Sequence, residues 1–196
     1  MTAPLLVAVE GDTDEPFARA LVESAGRSVD HVVVLNGHGQ IDRRLRRWCL
    51  PSNRRPMLVL RDFDPALGAT CPAELIANLI GDIEPSPTTL VRMPVREMEA
   101  WMLADREAAS SFFQTPILNF PTSPDDDPDP KRTLVDLCRK SSSPDIRDGM
   151  VPDPGAGRAV GRRFTGLVLE FGRQYWNPER AAAVSPSLAK ALVALS

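Results

Sequence analysis

A chain of 196 residues, 43% hydrophobic and 25% charged, has the size and balance of one soluble globular domain with room for a small appendage. Its formal charge of −3 excludes a global basic field, so any contact with nucleic acid has to be local or carried by a metal. No stretch approaches the ~18 apolar residues of a membrane span, the N-terminus lacks a basic leader, and Cys49, Cys71 and Cys138 are in no metal-ligand spacing; the expectation is a reduced, cytoplasmic protein with no membrane contact.

In chain order, residues 5–9 form a short apolar run ending in Glu10-Gly11, which fits a strand buried on both faces. Asp12, Thr13 or Asp14 then caps a helix reaching to about residue 25. Residues 29–35, rich in β-branched side chains, predict a second strand closed by Asn36-Gly37. A strongly basic helix over 40–50 follows, with Ile41, Leu45 and Trp48 facing inward. Residues 57–60 are the third strand, 72–81 a helix, 89–95 the fourth strand and 97–110 a helix opening Glu-Met-Glu-Ala-Trp. This alternation predicts an α/β fold: a mostly parallel four-stranded sheet with helices on both faces. Residues 114–130, rich in Pro and Asp without periodicity, divide a core over 1–113 from a helical C-terminal extension over 131–196. In that extension, Asp129 and Pro130 start a helix to about 140, residues 158–174 form a second, and Ser185 caps a last one over 186–195. Gly155-x-Gly157-x-x-x-Gly161 follows no strand and has the wrong spacing for a nucleotide fold, so it reads as a loop.

The stretch Asp62-Phe63-Asp64 carries the chemistry. Two carboxylates at i and i+2 leave one strand on the same face, at the edge where open α/β sheets hold ligands. They repel each other unless a cation is near, and hard oxygen ligands suit Mg²⁺. Glu10, at another strand end, brings a third acid to the same edge; the alternative is that all three simply cap turns. His38, in the loop after the second strand, either reaches this edge or is an ordinary polar loop residue.

Val9-Glu10-Gly11-Asp12-Thr13-Asp14-Glu15 together with Asp62-Phe63-Asp64 resembles the TOPRIM domain, the catalytic fold of topoisomerases, primases and overcoming-lysogenisation-defect nucleases. More narrowly, residues 97–105, Trp176-Asn177-Pro178-Glu179 and Ser185-Pro186-Ser187-Leu188 make the chain similar to a family of uncharacterised bacterial single-domain TOPRIM-like proteins. The resemblance implies Mg²⁺, with Mn²⁺ as a substitute, held by Asp62 and Asp64, while Glu10 acts as a ligand or as the general acid/base. Asp14 and Glu15 are further metal candidates, and Glu99 is a further catalytic candidate. The activity implied is cleavage of phosphodiester bonds in DNA or RNA, with bacterial defence as a setting. The rival expectation is a non-catalytic subunit that binds a partner such as an ATPase in a defence or toxin-like system.

Glu97 and Glu99 would stand about 200° apart if the helix has begun by Glu97, so that only one of them could face the site, and Glu99 is favoured. Arg43, Arg44, Arg46, Arg47, Arg54 and Arg55 form the one dense positive cluster, read either as a grip on phosphates or as the solvated face of a helix. Lys131 and Arg132 either supply charge to a phosphate or form a surface pair at a helix start.

Overall fold

The computed structural model describes residues 3–196, apart from the side chain of Ala66. Four parallel strands, β1 (Leu5–Val9), β2 (Val29–Val34), β3 (Met57–Leu60) and β4 (Thr89–Arg92), form one sheet in the order β2-β1-β3-β4. Helices α1 (Glu15–Ser24), α2 (His38–Trp48) and α3 (Pro72–Ile80) make the crossovers, and α4 (Met98–Ala104) and α5 (Arg106–Phe112) follow β4. The chain ends in α6 (Pro130–Arg139), α7 (Pro144–Met150), α8 (Phe164–Gln174), α9 (Pro178–Ala182) and α10 (Pro186–Leu195). The α/β class, the parallel sheet and helices on both faces are as the alternating pattern predicts.

Alternation along the strands divides the interior in two. Leu5, Val7 and Val9 of β1 and Leu58 and Leu60 of β3 join a large core with α1, α4, α6, α8 and α10. Ala8, Met57 and Val59, one residue out of phase, join a smaller core with Ile41 and Leu45 of α2 and Leu75 of α3. Trp48 packs against that smaller core, so the inward face expected for α2 is present. The C-terminal helices share the large core with β1 and α1: Phe17 meets Trp176 edge-on at 5.1 Å and Phe171 at 6.3 Å.

Three local differences have identifiable causes. The helix expected over 97–110 breaks at Asp105, whose backbone leaves helical geometry (ψ 68°). Its carboxylate caps α5 through the Ala108 N–H and takes Arg180 and the Asn177 N–H from α9. The helix expected from 158 starts only at Phe164, because a Cβ on Gly161 would lie 2.2 Å from the Gly149 carbonyl oxygen, a close approach that holds the loop against α7. Helices α7 and α9 were not expected, although Ser143-Pro144 and Asn177-Pro178 are N-cap and first-turn signals of the same kind as Ser185-Pro186.

Candidate acidic site at the carboxyl edge

β1 pairs with β2 on one side and β3 on the other, so the strand order reverses between β1 and β3. A crevice opens at their carboxyl ends, the usual ligand position in such sheets. Glu10 follows β1 and Asp62 follows β3, which puts both acids at this reversal.

The ladder explains how they meet. Past the end of β3, the Arg61 and Phe63 N–H groups donate to Arg92 and Pro94 carbonyls on the β4 side, at 3.2 and 3.0 Å. The intervening Asp62 N–H faces β1, which has already ended, and a buried N–H needs an acceptor. Glu10 Oε1 supplies it at 2.9 Å. Strand parity also sends Asp62 to the side of Leu60 and the large core, where α1, α4 and α6 approach. Arg61 and Phe63 turn the other way. The Arg61 side chain is fully buried and forms a fork to Asp42 of α2, with Nε–Oδ1 and Nη2–Oδ2 both 3.1 Å, and Nη1 donates to the Asp62 carbonyl. Asp42 and Arg61 thus tie α2 to the strand end that carries the acids.

Around Asp62 the charges crowd. Burial raises its pKa well above the ordinary aspartate value, and Asp14, Glu10 and Glu99 raise it further. Asp14, itself buried, folds back so that Oδ2 accepts from the Gly11 N–H at 2.8 Å, and burial raises its pKa too. Burial likewise lifts Glu10, opposed by the Asp62 N–H and by Arg61. Glu99 is 5% exposed, and burial pushes its pKa up to about 7 although Lys131 works against the rise.

The nearest counter-cation is Lys131. Its Nζ stands 3.4 Å from Glu99 Oε1 and 3.5 Å from Glu97 Oε1, and its backbone N–H donates to Glu97 Oε2 at 3.2 Å. Burial disfavours the ammonium, but Glu99, Glu97 and Asp62 together outweigh it and hold its pKa above the ordinary lysine value. Both Glu97 and Glu99 therefore reach the same group, contrary to the helical-wheel expectation. Glu97 is the N-cap of α4, with extended backbone (φ −133°, ψ 162°), so the 100° per residue rule does not begin until Met98.

Beside these acids lies a cavity of about 580 Å³ whose charged walls include Glu10, Asp62, Asp64, Glu97, Asp129, Arg61, Arg96 and Lys131, with His38 at the start of α2. Asp64 precedes a short 3-10 turn, Pro65–Leu67, and its carbonyl accepts the Leu67 N–H at 3.3 Å. Glu99 and Asp14 are not at this wall but behind it. Glu15 is not brought in: it pairs with Arg19 at 2.9 Å on the outer surface of α1. None of Arg43, Arg44, Arg46 and Arg47 lines the cavity. His38 marks its edge, and Arg47 lies about 14 Å further along the axis of α2 at 1.5 Å per residue. Arg46 donates to the Ile80 carbonyl at 3.1 Å, Arg44 to Gln40, and Arg55 pairs with Asp30 at 2.7 Å.

Sequence reasoning missed Arg61, Asp42 and Arg96. Arg61 stands between the strand run and Asp62, where an arginine reads as one more surface charge; its parity, opposite to Asp62, was the available signal. Among the described residues no group of three or more His, Cys, Asp or Glu is gathered as a ready-made metal cage. The carboxylates of Glu10, Asp62 and Asp64 at one wall are nevertheless hard oxygen donors, the kind Mg²⁺ takes together with water and substrate phosphate.

The residue blocks that define the narrower resemblance prove to be one structural unit. Trp176 Nε1 donates to the Trp101 carbonyl at 2.9 Å, and Trp101 Nε1 to Ser187 Oγ at 2.7 Å. They fix α4, and with it Glu99, against α9 and α10. Comparison with protein-family models, with curated proteins and with solved structures gives no match, so the reading of this site rests on its own geometry.

Proposed function

We propose that this chain is a Mg²⁺-dependent phosphodiesterase of TOPRIM type that cleaves nucleic acid, acting in the cytoplasm, with bacterial defence as its setting. The observation that carries the reading is the pairing of Glu10 with the Asp62 backbone at the strand-order reversal, in a cavity shared with Asp64 and lined opposite by Lys131 and Arg96. Glu10, Asp62 and Asp64 would hold the ion, which Mn²⁺ can replace. When bound, it supplies neutralising charge at the scissile phosphate. The rest falls to the chain itself. Arg96 and Lys131 offer N–H donors to non-bridging phosphate oxygens at the cavity wall. Glu97 at the wall and Glu99 behind it set the position of the Lys131 ammonium, so Glu99 acts here as a positioning residue. Arg61 fixes the Asp62 carbonyl and, through Asp42, the start of α2 that brings His38 to the rim. Three free cysteines suit a reducing compartment, and no helix among the described residues is long and apolar enough to cross a membrane.

One observation favours a second reading. Lys131 already neutralises part of the acidic cluster, as it would in a fold whose acids are idle and whose surface serves a partner, such as the ATPase of a defence or toxin-like system.

Single-turnover cleavage of labelled single- and double-stranded DNA and RNA, with Mg²⁺ or Mn²⁺, separates the two. The expected result is metal-dependent cleavage that falls at least about 100-fold in Asp64→Ala while nucleic-acid affinity changes little, because the full metal charge matters most in the transition state. Metal-independent activity, or activity that survives Asp64→Ala, rejects the assignment. Absence of cleavage of every substrate, with or without an ATPase partner, selects the partner-binding reading.

A further inference from the structure

A second cavity, of about 760 Å³, lies between α3, the free edge of β4 and α10 and shares no lining residue with the acidic one. Its apolar walls include Ile76 of α3, Val91 of the edge strand, Met93 just past its end, and Val193 of α10, which is 78% exposed. The volume falls in the range of small-molecule sites, and the cavity is an open groove rather than an enclosed one.

The charges at the cavity say what kind. Asp125 also lies on its wall and keeps its charge, but its oxygens are engaged: Oδ1 accepts from Ser185 Oγ at 2.7 Å and Oδ2 from the Ser187 N–H at 2.8 Å, which fastens the start of α10 and leaves the two cations in excess at the wall. Arg92 is the opposite case. Nη1 donates to the Val91 carbonyl at 2.7 Å, while Nε is shielded from water and, among the described residues, has no acceptor. Nor does the guanidinium have a carboxylate partner among them, and burial lowers its pKa, a sign that its charge is partly desolvated and uncompensated. Lys190 adds a second cation at the wall, also without an ion pair among the described residues. A partly desolvated cation lacking a counter-ion attracts an anion more strongly than one in bulk solvent.

We propose that this groove binds a small amphipathic acid: an apolar chain of about ten carbons against Ile76, Val91, Met93 and Val193, with one carboxylate beside Arg92 and Lys190. Apolar walls supply the affinity and the two cations select the acid over a neutral molecule of the same shape. A flat protein surface would cover Val193 but leave the charge of Arg92 unanswered. The site does not depend on the phosphodiesterase reading, since it shares no lining residue with the acidic cavity.

The test is calorimetric titration with decanoate, 1-decanol and acetate, each below its aggregation limit. Decanoate is expected to bind with one-to-one stoichiometry, decanol at least tenfold more weakly, and acetate not measurably. Arg92→Gln should close the gap between decanoate and decanol. Val193→Glu changes an exposed side chain and so leaves folding intact; it should weaken decanoate at least tenfold by placing a like charge at the mouth. Equal binding of acid and alcohol, an unchanged gap in Arg92→Gln, or full affinity in Val193→Glu would overturn the proposal. So would a solution dimer that Val193→Glu dissociates, which would make a second copy the occupant.

Discussion

Glu99 in α4 and Asp105 at the break that follows it stand six residues apart, and both are nearly inaccessible to water, at 5% and 1% exposure. Their surroundings differ. Asp105 accepts from four donors, the Ala108 and Asn177 N–H groups and two nitrogens of Arg180, at 2.8–3.4 Å. Glu99 has one cation, Lys131, at 3.4 Å, and shares it with Glu97. The first carboxylate is satisfied and holds two helices together. The second is under-compensated, and a buried acid in that condition is a mark of a site rather than of a scaffold. The comparison separates architecture from chemistry inside one stretch of ten residues.

Breaking the satisfied acid should cost most. Asp105→Ala leaves the Asn177 N–H and the Arg180 guanidinium without their acceptor at the joint of α4, α5 and α9. The expected loss is about 3 kcal/mol, the lower end for a broken buried pair, because Arg180 is half-exposed and can rehydrate. Urea denaturation measures it. A loss under about 1 kcal/mol would remove Asp105 from its structural role.

Glu99→Gln should act in the opposite direction. Folding raises the Glu99 pKa from the ordinary 4.5 to about 7, so the native state binds the proton more tightly than the unfolded chain. Its effect on stability is therefore absent below pH 4.5, grows between pH 4.5 and 7 as the folded protein is forced to ionise a buried acid, and is complete above pH 7. That interval corresponds to about 3 kcal/mol at most, since Lys131 would lose one of its partners in the variant. Glu99→Gln is expected to be more stable than the parent at pH 8 and equal to it at pH 4. A variant less stable at pH 8 would mean that the attraction to Lys131 outweighs the burial.

How much of this contrast was legible follows from where each residue lies. Leu5–Val9 and Met57–Leu60 were readable to the residue, because uninterrupted apolar runs closed by a charged residue leave little choice of register. From those two strands, Glu10 and Asp62 could be placed at one sheet edge. Asp105 could not be read: an aspartate inside an amphipathic pattern looks like a solvated position, and the partners that make it a break, Asn177 and Arg180, are more than seventy residues away. Arg61 was hidden for the same reason, since Asp42 comes from another element. Glu97 was misplaced by a helix boundary one residue too early.

Asp62→Asn should have a smaller effect. The amide keeps the Asp62 N–H bond to Glu10 while removing one charge from a group in which burial, Asp14, Glu10 and Glu99 all disfavour ionisation. Without metal, the melting temperature is expected to stay level or rise by a few degrees at pH 8. With Mg²⁺, the parent should gain stability and the variant should not, because an ion that binds only the folded state stabilises it in proportion to its affinity. A melting temperature that falls sharply without metal would class Asp62 with Asp105.

The smallest expected effect tests the arginines at a distance. Arg43, Arg44 and Arg47 are exposed and lie off the cavity wall, whereas Arg46 is committed to the Ile80 carbonyl and is left in place. If the three neutralise phosphates beyond the scissile one, replacing them by Ala should flatten the salt dependence of binding to a long duplex, by nearly one unit of slope for each phosphate no longer neutralised. The same variant should cleave a dinucleotide-sized substrate at the parental rate, since such a substrate spans about 7 Å and cannot reach from the cavity to the middle of α2. Reduced activity on the short substrate would show that α2 acts on the cavity itself, through Asp42 and Arg61 rather than through phosphate. An unchanged salt slope on the long one would make these arginines the solvated face of a helix whose other side, Ile41 and Leu45, is fully buried in the smaller core.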